Sequence, residues 1–311
     1  MRTGEISKEE FVALPAEEIA RIVKQKGKPK LGIFVPDGNR RMTMALTGLS
    51  EDSDDFYSEY VRLFTEKFMG NLKVFFHLGL DTLMVPLISP TILNREPKYI
   101  NLAVNGLLQA LTQSKKWLNF YRDKDIRVRT YGNSGQLQGT GCEKGIQWVE
   151  EIKTQTSHHK KHTLFYGFLA NSIEGMELVN LAVEFYQMHR RKPTYREMKE
   201  MYYGENLAEA DFFIMSTKIA GAGVLPPLIS NKKTEMYFLT APGVMGLTQE
   251  TYREILYDLL FCRTDGTIKK YGAHDLKDIE VLKKYYSPGE SMVLGTGKRV
   301  GKFWVPNIKD L

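Results

Sequence analysis

The stretch LGIFVPDGNRR, residues 31–41, decides how this chain reads. Leu31, Ile33, Phe34 and Val35 form an apolar, β-rich run of the kind that fills a parallel strand buried on both faces, and Pro36 stops it. The strand hands over to Asp37, Gly38, Asn39, Arg40 and Arg41. Gly38 lets backbone N–H groups approach an anion, the two arginines offer fork-shaped donors suited to phosphate, and Asp37 is a hard oxygen ligand for a Mg²⁺ shared with that phosphate. Two local readings stay open: a tight turn after a strand, which Asp-Gly-Asn often makes, and a diphosphate site, to which adjacent arginines point.

Outward from this stretch, strands and helices alternate. Before it, Ser7 with Glu10 ahead of Phe11 spells a capping box, and Pro15 opens a helical pattern that puts Ile19, Ile22 and Val23 on one face. After it, TMALTGLSEDSDD reads as a loop and Phe56 to His77 as a long helix closed at Gly79. Then come TLMVPLIS, a helix from about Lys98 to Arg122, IRVRTYGN, a helical stretch around Gly145 to Ile152, and HTLFYGFLAN. Helices from about Gly175 to His189 and Tyr195 to Tyr203 precede DFFIMST, EMYFLTA and a helix from Thr248 to Leu260. Apolar strands interleaved with helices predict an α/β fold: a six-stranded, mostly parallel sheet flanked by helices, with ligands at the carboxyl ends of the strands. The predicted divisions are N-terminal helices over 1–27, the α/β domain over 28–265 and a C-terminal extension over 266–311. That extension closes with a hairpin in SMVLGTGKRVGKFWVPN.

Composition narrows the function. Of 311 residues, 42% are hydrophobic and 26% charged, which supplies a sizeable core and argues against disorder. Forty-three Lys and Arg against 37 Asp and Glu leave +6, too mild and dispersed for a nucleic-acid binder but suited to an anionic ligand. Cys142 and Cys262 are far apart and lack metal-ligand spacing, so neither a disulfide framework nor a zinc site is expected. The segment MRTGEISKEEF has no hydrophobic signal core, and no run approaches about 18 apolar residues, so a cytoplasmic protein is expected.

Other clusters carry less. Glu51, Asp52, Asp54 and Asp55 read as a solvated helix start rather than a metal cluster. His158, His159 and His162 with Lys160 and Lys161 read as a solvated basic loop, and His77 reads as packing beside aromatic neighbours. Ser89 and Arg95 follow the second strand in the position equivalent to Asp37, so they can reach the same crevice. No Gly-x-Ser-x-Gly elbow, Walker loop or Gly-x-Gly-x-x-Gly after a strand is present, and GAG at Gly221 to Gly223 reads as a loop.

The order IFVPDGNRR, VPLISPTILNREP, VRTYGN, ADFFIMST and TEMYF resembles the cis-prenyltransferase family over most of Leu31 to Gly272. The resemblance implies that Asp37, Gly38, Asn39, Arg40 and Arg41 cradle an allylic diphosphate with Ser89 and Arg95 beside them. It also implies that Glu235 of EMYF joins Asp37 in holding Mg²⁺. The departures concern the second substrate. Elongating members carry Ser-x-x-Asn-x-x-Arg-Pro where this chain has Ile92 at the Asn position. They also carry Arg-x-x-x-x-x-Arg-x-Ser where Met215 stands at the first Arg and Lys218 is basic alone. A lone lysine is a poor substitute for a bidentate arginine clamp.

The full-length pattern is closer to a divergent branch, the tuberculosinol and tuberculosinyl-adenosine transferases, through ISKEEFVALPAEEIARIV, KPTYREMKEMYYGE, ETYREILYD and GTGKRVGKFW. In that branch a tyrosine matching Tyr60 faces the prenyl cation, while an Asp-Asp pair is replaced here by Pro90 and Thr91. The resemblance implies a C10 to C25 prenyl diphosphate donor, an acceptor other than isopentenyl diphosphate, an apolar tunnel lined from Phe56 to Phe76 and Leu102 to Leu111, a homodimer, and peripheral membrane contact through a lipid product. A diphosphate lyase or terpene synthase and a non-catalytic accessory subunit are the alternatives; retention of Asp37 and Glu235 speaks against the last.

Overall fold

A computed structural model of the chain describes residues 6–89, 94–168, 175–216, 225–230, 233–263, 279–280, 283–284 and 296–306. Pro90, Thr91, Ile92, Lys218 and the Gly221–Gly223 loop lie outside these residues. Six strands form one sheet: β1 (Leu31–Val35), β2 (Thr82–Ile88), β3 (Ile126–Tyr131), β4 (His162–Phe168), β5 (Phe212–Ser216) and β6 (Glu235–Leu239). Their spatial order is β3-β4-β2-β1-β5-β6, and every pairing is parallel.

The apolar runs fill two cores because side chains alternate across a strand. Phe34, Leu83, Val85, Val128, Leu164 and Phe212 belong to one buried cluster, whereas Leu31, Ile33, Met84, Phe165 and Phe213 belong to the cluster on the opposite face. The larger cluster also takes in Phe11, Ile19 and Val23 from α1 (Lys8–Ala13) and α2 (Ala16–Lys26), so the N-terminal helices pack on the sheet body. Ser7 and Glu10 form the reciprocal capping box on α1.

The loop expected over 43–55 is only partly a loop: α3 runs Asn39–Thr47 and takes in its first five residues, Gly48 closes the helix in the left-handed conformation, and the turns from Gly48 to Asp55 lead into the next helix. Helix α4 spans Phe56–His77 and buries Phe64, Phe68, Leu72, Phe75 and Phe76. Each such burial contributes about 1.5–3 kcal/mol. The single helix expected from Lys98 to Arg122 is instead a series: α5 (Pro97–Tyr99), a π turn at Ile100–Val104, α6 (Asn105–Gln113) and α7 (Lys115–Asp123). Ser114 breaks the run because its backbone is extended and its hydroxyl accepts from the Trp117 amide, capping a new helix. The remaining helices are α8 (Glu143–Gln155), α9 (Met176–His189), α10 (Tyr195–Tyr203) and α11 (Gln249–Tyr257), and β7 (Gly297–Val300) pairs with β8 (Phe303–Pro306) as an antiparallel hairpin. No helix among the described residues is long and apolar enough to cross a membrane.

Candidate active site

At the carboxyl end of β1 the chain turns sharply. Gly38 adopts φ 90° and caps α3, and a Cβ there would lie 2.8 Å from Arg41 Nη2 and 3.1 Å from Pro242 Cβ. Only glycine fits that left-handed, crowded position without strain. No side chain caps α3, so its first amides are available to an anion.

Asn39 secures the turn. Its Nδ2 donates to the Pro36 carbonyl at 2.6 Å while its Oδ1 accepts from the Val244 amide at 3.1 Å. The Gly243 amide donates to the Asp37 carbonyl at 2.6 Å, and the buried Ser216 hydroxyl donates to the Gly243 carbonyl. Asn39 thus spends both ends of its side-chain amide on backbone, whereas the family resemblance implies a diphosphate ligand at this position.

The turn floors a cavity of about 420 Å³. Asp37, Gly38, Asn39, Arg40 and Arg41 line it together with Tyr60 from α4, Ser89 from beyond β2 and Arg95 from before α5. Arg41 Nη2 stands 3.9 Å from Asp37 Oδ2, and Arg40 Nη1 donates to Glu51 Oε2 at 2.8 Å. Three arginines and two carboxylates therefore meet there, with apolar walls from Val35, Ile88, Met44 and Met215 and Phe303 from the C-terminal hairpin.

Two participants escaped the sequence reading. Glu51 is a cavity wall paired with Arg40 rather than a solvated helix start; the fold back from α3 decides that, and no spacing signals it. Tyr99 carries the guanidinium groups of Arg40 and Arg95 over its ring, at 5.8 and 5.9 Å from the centroid, in cation–π range. Arg95 precedes α5 and Glu96 between them is extended, so no helical spacing signals this contact; the turn into α5 makes it. Burial first, then the Tyr99 hydroxyl bonded to it, holds the Tyr60 phenol well above its ordinary range, so Tyr60 stays protonated. The Tyr60 ring stacks on Phe64 with centroids 6.4 Å apart.

Glu235 does not join Asp37 within one chain. Register places Glu235 opposite Phe212, which stands opposite Gly32, so Glu235 lies at the amino end of the sheet. The three residue steps from Gly32 to Val35 alone correspond to about 10 Å along the strand, and Asp37 lies beyond Val35. Glu235 Oε2 instead pairs with Arg263 Nη1 at 3.0 Å. The apolar tunnel is also corrected: α4 contributes Tyr60 to the cavity wall, while Phe64, Phe68 and Phe75 pack into the core. Leu107, Leu108 and Leu111 are core as well.

The histidines depart from expectation too. His159 and His162 are buried, not solvated, each with Nδ1 on a backbone carbonyl, Ile126 O at 2.8 Å and Leu80 O at 3.1 Å. His77 is exposed and faces Glu17 at 3.5 Å. Among the described residues no group of three His, Cys, Asp or Glu side chains could hold a metal ion.

No family model matches the chain. Over nearly its whole length it is similar to a tuberculosinyl adenosine transferase of Mycobacterium tuberculosis, with 29% identity over 297 residues covering 94% of this chain and 95% of that one. A (+)-kolavelool synthase of Herpetosiphon aurantiacus shares 22% over 298 residues, covering 96% and 94%. Among solved structures, lavandulyl diphosphate synthase from Lavandula x intermedia, in complex with dimethylallyl diphosphate, superposes with a TM-score of 0.58 at 12% identity, covering 80% of this chain and 98% of that one. A probable undecaprenyl diphosphate synthase from Campylobacter jejuni gives 0.56 at 14%, covering 77% and 99%. The chain is a homologue of tuberculosinyl adenosine transferase and of (+)-kolavelool synthase, built on the cis-prenyltransferase fold.

Proposed function

We propose that the chain is a Mg²⁺-dependent prenyltransferase. It ionises a C10 to C25 allylic prenyl diphosphate and passes the prenyl group to a non-standard acceptor, either a second prenyl diphosphate in an irregular linkage or a small nucleophile. The observation that carries this reading is the convergence of Asp37, Arg40, Arg41 and Arg95 over an uncapped helix start beside the Tyr60 ring.

One carboxylate plus substrate phosphates is a common way to hold Mg²⁺, which retains several waters, so Asp37 fits the ion without a second protein carboxylate. When bound, the ion neutralises charge on the departing diphosphate. The arginines and the α3 amides hold the diphosphate oxygens, where fixed donors stabilise charge as it develops. Tyr99 keeps Arg40 and Arg95 aimed, and Glu51 orients Arg40. Tyr60, neutral and buried, turns its ring toward the cavity and shields the allylic cation electrostatically. Met44, Ile88 and Met215 limit water near it.

A second reading, quenching of the cation by water or by proton loss, draws support from the relative named (+)-kolavelool synthase. Both readings predict pyrophosphate release from C10 to C25 prenyl diphosphates with Mg²⁺, and silence across that series overturns both. Mass analysis of the lipid products separates them: a joined acceptor establishes transfer, and alcohol or hydrocarbon alone establishes the lyase. A homodimer accompanies the proposal, supported by a stripe of exposed Met176, Val179, Val183 and Tyr186 along α9.

A further inference from the structure

A second cavity, of about 550 Å³, opens at the amino end of the sheet, opposite Asp37. Its walls are the ends of α2, α4 and α7, the turn into β2 and the start of β4. Four lysines line it, Lys24, Lys73, Lys124 and Lys161, against the single carboxylate of Asp81. Among the described residues none of the four ammonium groups is in an ion pair.

Lysines near helix carboxyl ends ordinarily offset the helix dipole. Here each of three ends supplies about half a negative charge. Together with Asp81 they leave the four lysines in excess. The floor is apolar and aromatic, with Phe76 and Phe120 both buried. His162 is the buried polar group of the wall, 8% exposed, its ring stacked on Phe76 with centroids 4.5 Å apart. With its Nδ1–H donated to the Leu80 carbonyl, its Nε2 is an acceptor. The site therefore offers point charges for phosphate, flat rings and one neutral acceptor.

We propose that this cavity binds a phosphate ester whose organic part carries a hydrogen-bond donor, of the size and chemistry of a nucleotide or sugar phosphate, separately from the diphosphate site. Cavities of this volume take ligands of that class. Lysine suits the phosphate because its ammonium is a compact charge that needs no planar partner. The same chemistry could be presented by a soluble ester or by an anionic lipid headgroup.

Isothermal titration calorimetry on the full chain tests this with ADP, ribose 5-phosphate and inorganic pyrophosphate, and with adenosine as the phosphate-free control. ADP or ribose 5-phosphate is expected to bind wild type and Arg41→Ala alike, to weaken by about tenfold or more in Lys73→Glu/Lys124→Glu, and to leave pyrophosphate release from a prenyl diphosphate unchanged in that double variant. Circular dichroism verifies its fold, and Lys161→Gln, a milder change, should weaken binding in the same direction if the double variant is unfolded. The proposal is overturned if none of the three phosphates gives heat beyond the Arg41 site, if adenosine binds as well as ADP, or if the lysine variants leave binding untouched. Sedimentation with phosphatidylglycerol vesicles identifies the source. Vesicle binding displaced by ADP assigns a headgroup, and its absence beside soluble binding assigns a free ester; both outcomes support the proposal.

Discussion

The two ends of the central sheet face solvent through opposite chemistry. At the carboxyl end, β1 feeds directly into the amino terminus of α3, which no side chain caps, and three arginines line the cavity with Asp37. At the amino end, α2, α4 and α7 terminate, so carbonyl ends face solvent and lysines accompany them. The difference teaches that chain direction sorts charge before any residue is chosen: a parallel sheet gathers helix starts at one end and helix stops at the other. Guanidinium forks and the Asp37 carboxylate stand where fixed donors already point, the arrangement on which the proposed diphosphate site rests. Flexible ammonium groups were added where backbone carbonyls needed compensation.

The sharpest way to break this contrast is at Asp37. Asp37→Ala should lower turnover by about 10³-fold or more while moving the melting temperature little, because the side chain is half-exposed. Pyrophosphate release at the wild-type rate would remove Asp37 from the proposed site.

A smaller effect distinguishes the amino end. Burial above all, with Lys161 and Lys24 adding to it, brings the His162 imidazole down to about 4 from an ordinary 6.5. The unfolded chain then takes up a proton that the folded chain refuses, so stability is full above about pH 6.5 and falls as pH drops toward 4. The loss from this residue is at most about 3 kcal/mol. Urea unfolding at pH 7 and pH 4.5 should show a smaller pH-dependent loss in His162→Gln than in wild type, and an identical loss would sink the assignment.

Gly38→Ala forces a side chain into the left-handed region and against Pro242 and Arg41. It should cost about 2 kcal/mol and shift the α3 start, lowering turnover with it. A variant as stable and active as wild type would show that the turn tolerates a Cβ.

The smallest effect is expected at Glu235, whose ion pair with Arg263 is partly exposed. Glu235→Gln should cost less than about 1 kcal/mol and leave pyrophosphate release within about twofold, as surface pairs contribute little. A collapse of turnover would instead bring Glu235 of a second copy to the cavity and tie activity to the dimer.

Much of this was legible in the amino acids. The capping box at Ser7 and Glu10, the bounds of α4 and all six strands follow from short-range patterns that burial on two sheet faces imposes. Asn39 was legible as part of the turn, but only its partners Pro36 and Val244 reveal that its amide is committed to backbone. The first five residues of the loop expected over 43–55 are helix instead, because Gly38 supplies the left-handed cap and Met42 and Thr43 find buried contacts, facts that lie across the fold. His159 and His162 looked solvated beside lysines, yet carbonyls from β3 and the turn into β2 drew their rings inward.

The sequence by itself determined an α/β fold and the local chemistry of Asp37 to Arg41, because strand period, helix caps and turn residues act over a few positions. Tertiary structure alone decided which distant groups share that chemistry. It added Tyr99 and Glu51 to the cavity beside the expected Tyr60, Ser89 and Arg95, and carried Glu235 to the other end of the sheet. The physical reason is register: in a parallel sheet, where a residue falls along its strand fixes which end it serves, and register is set by packing of the whole core rather than by neighbours in the chain.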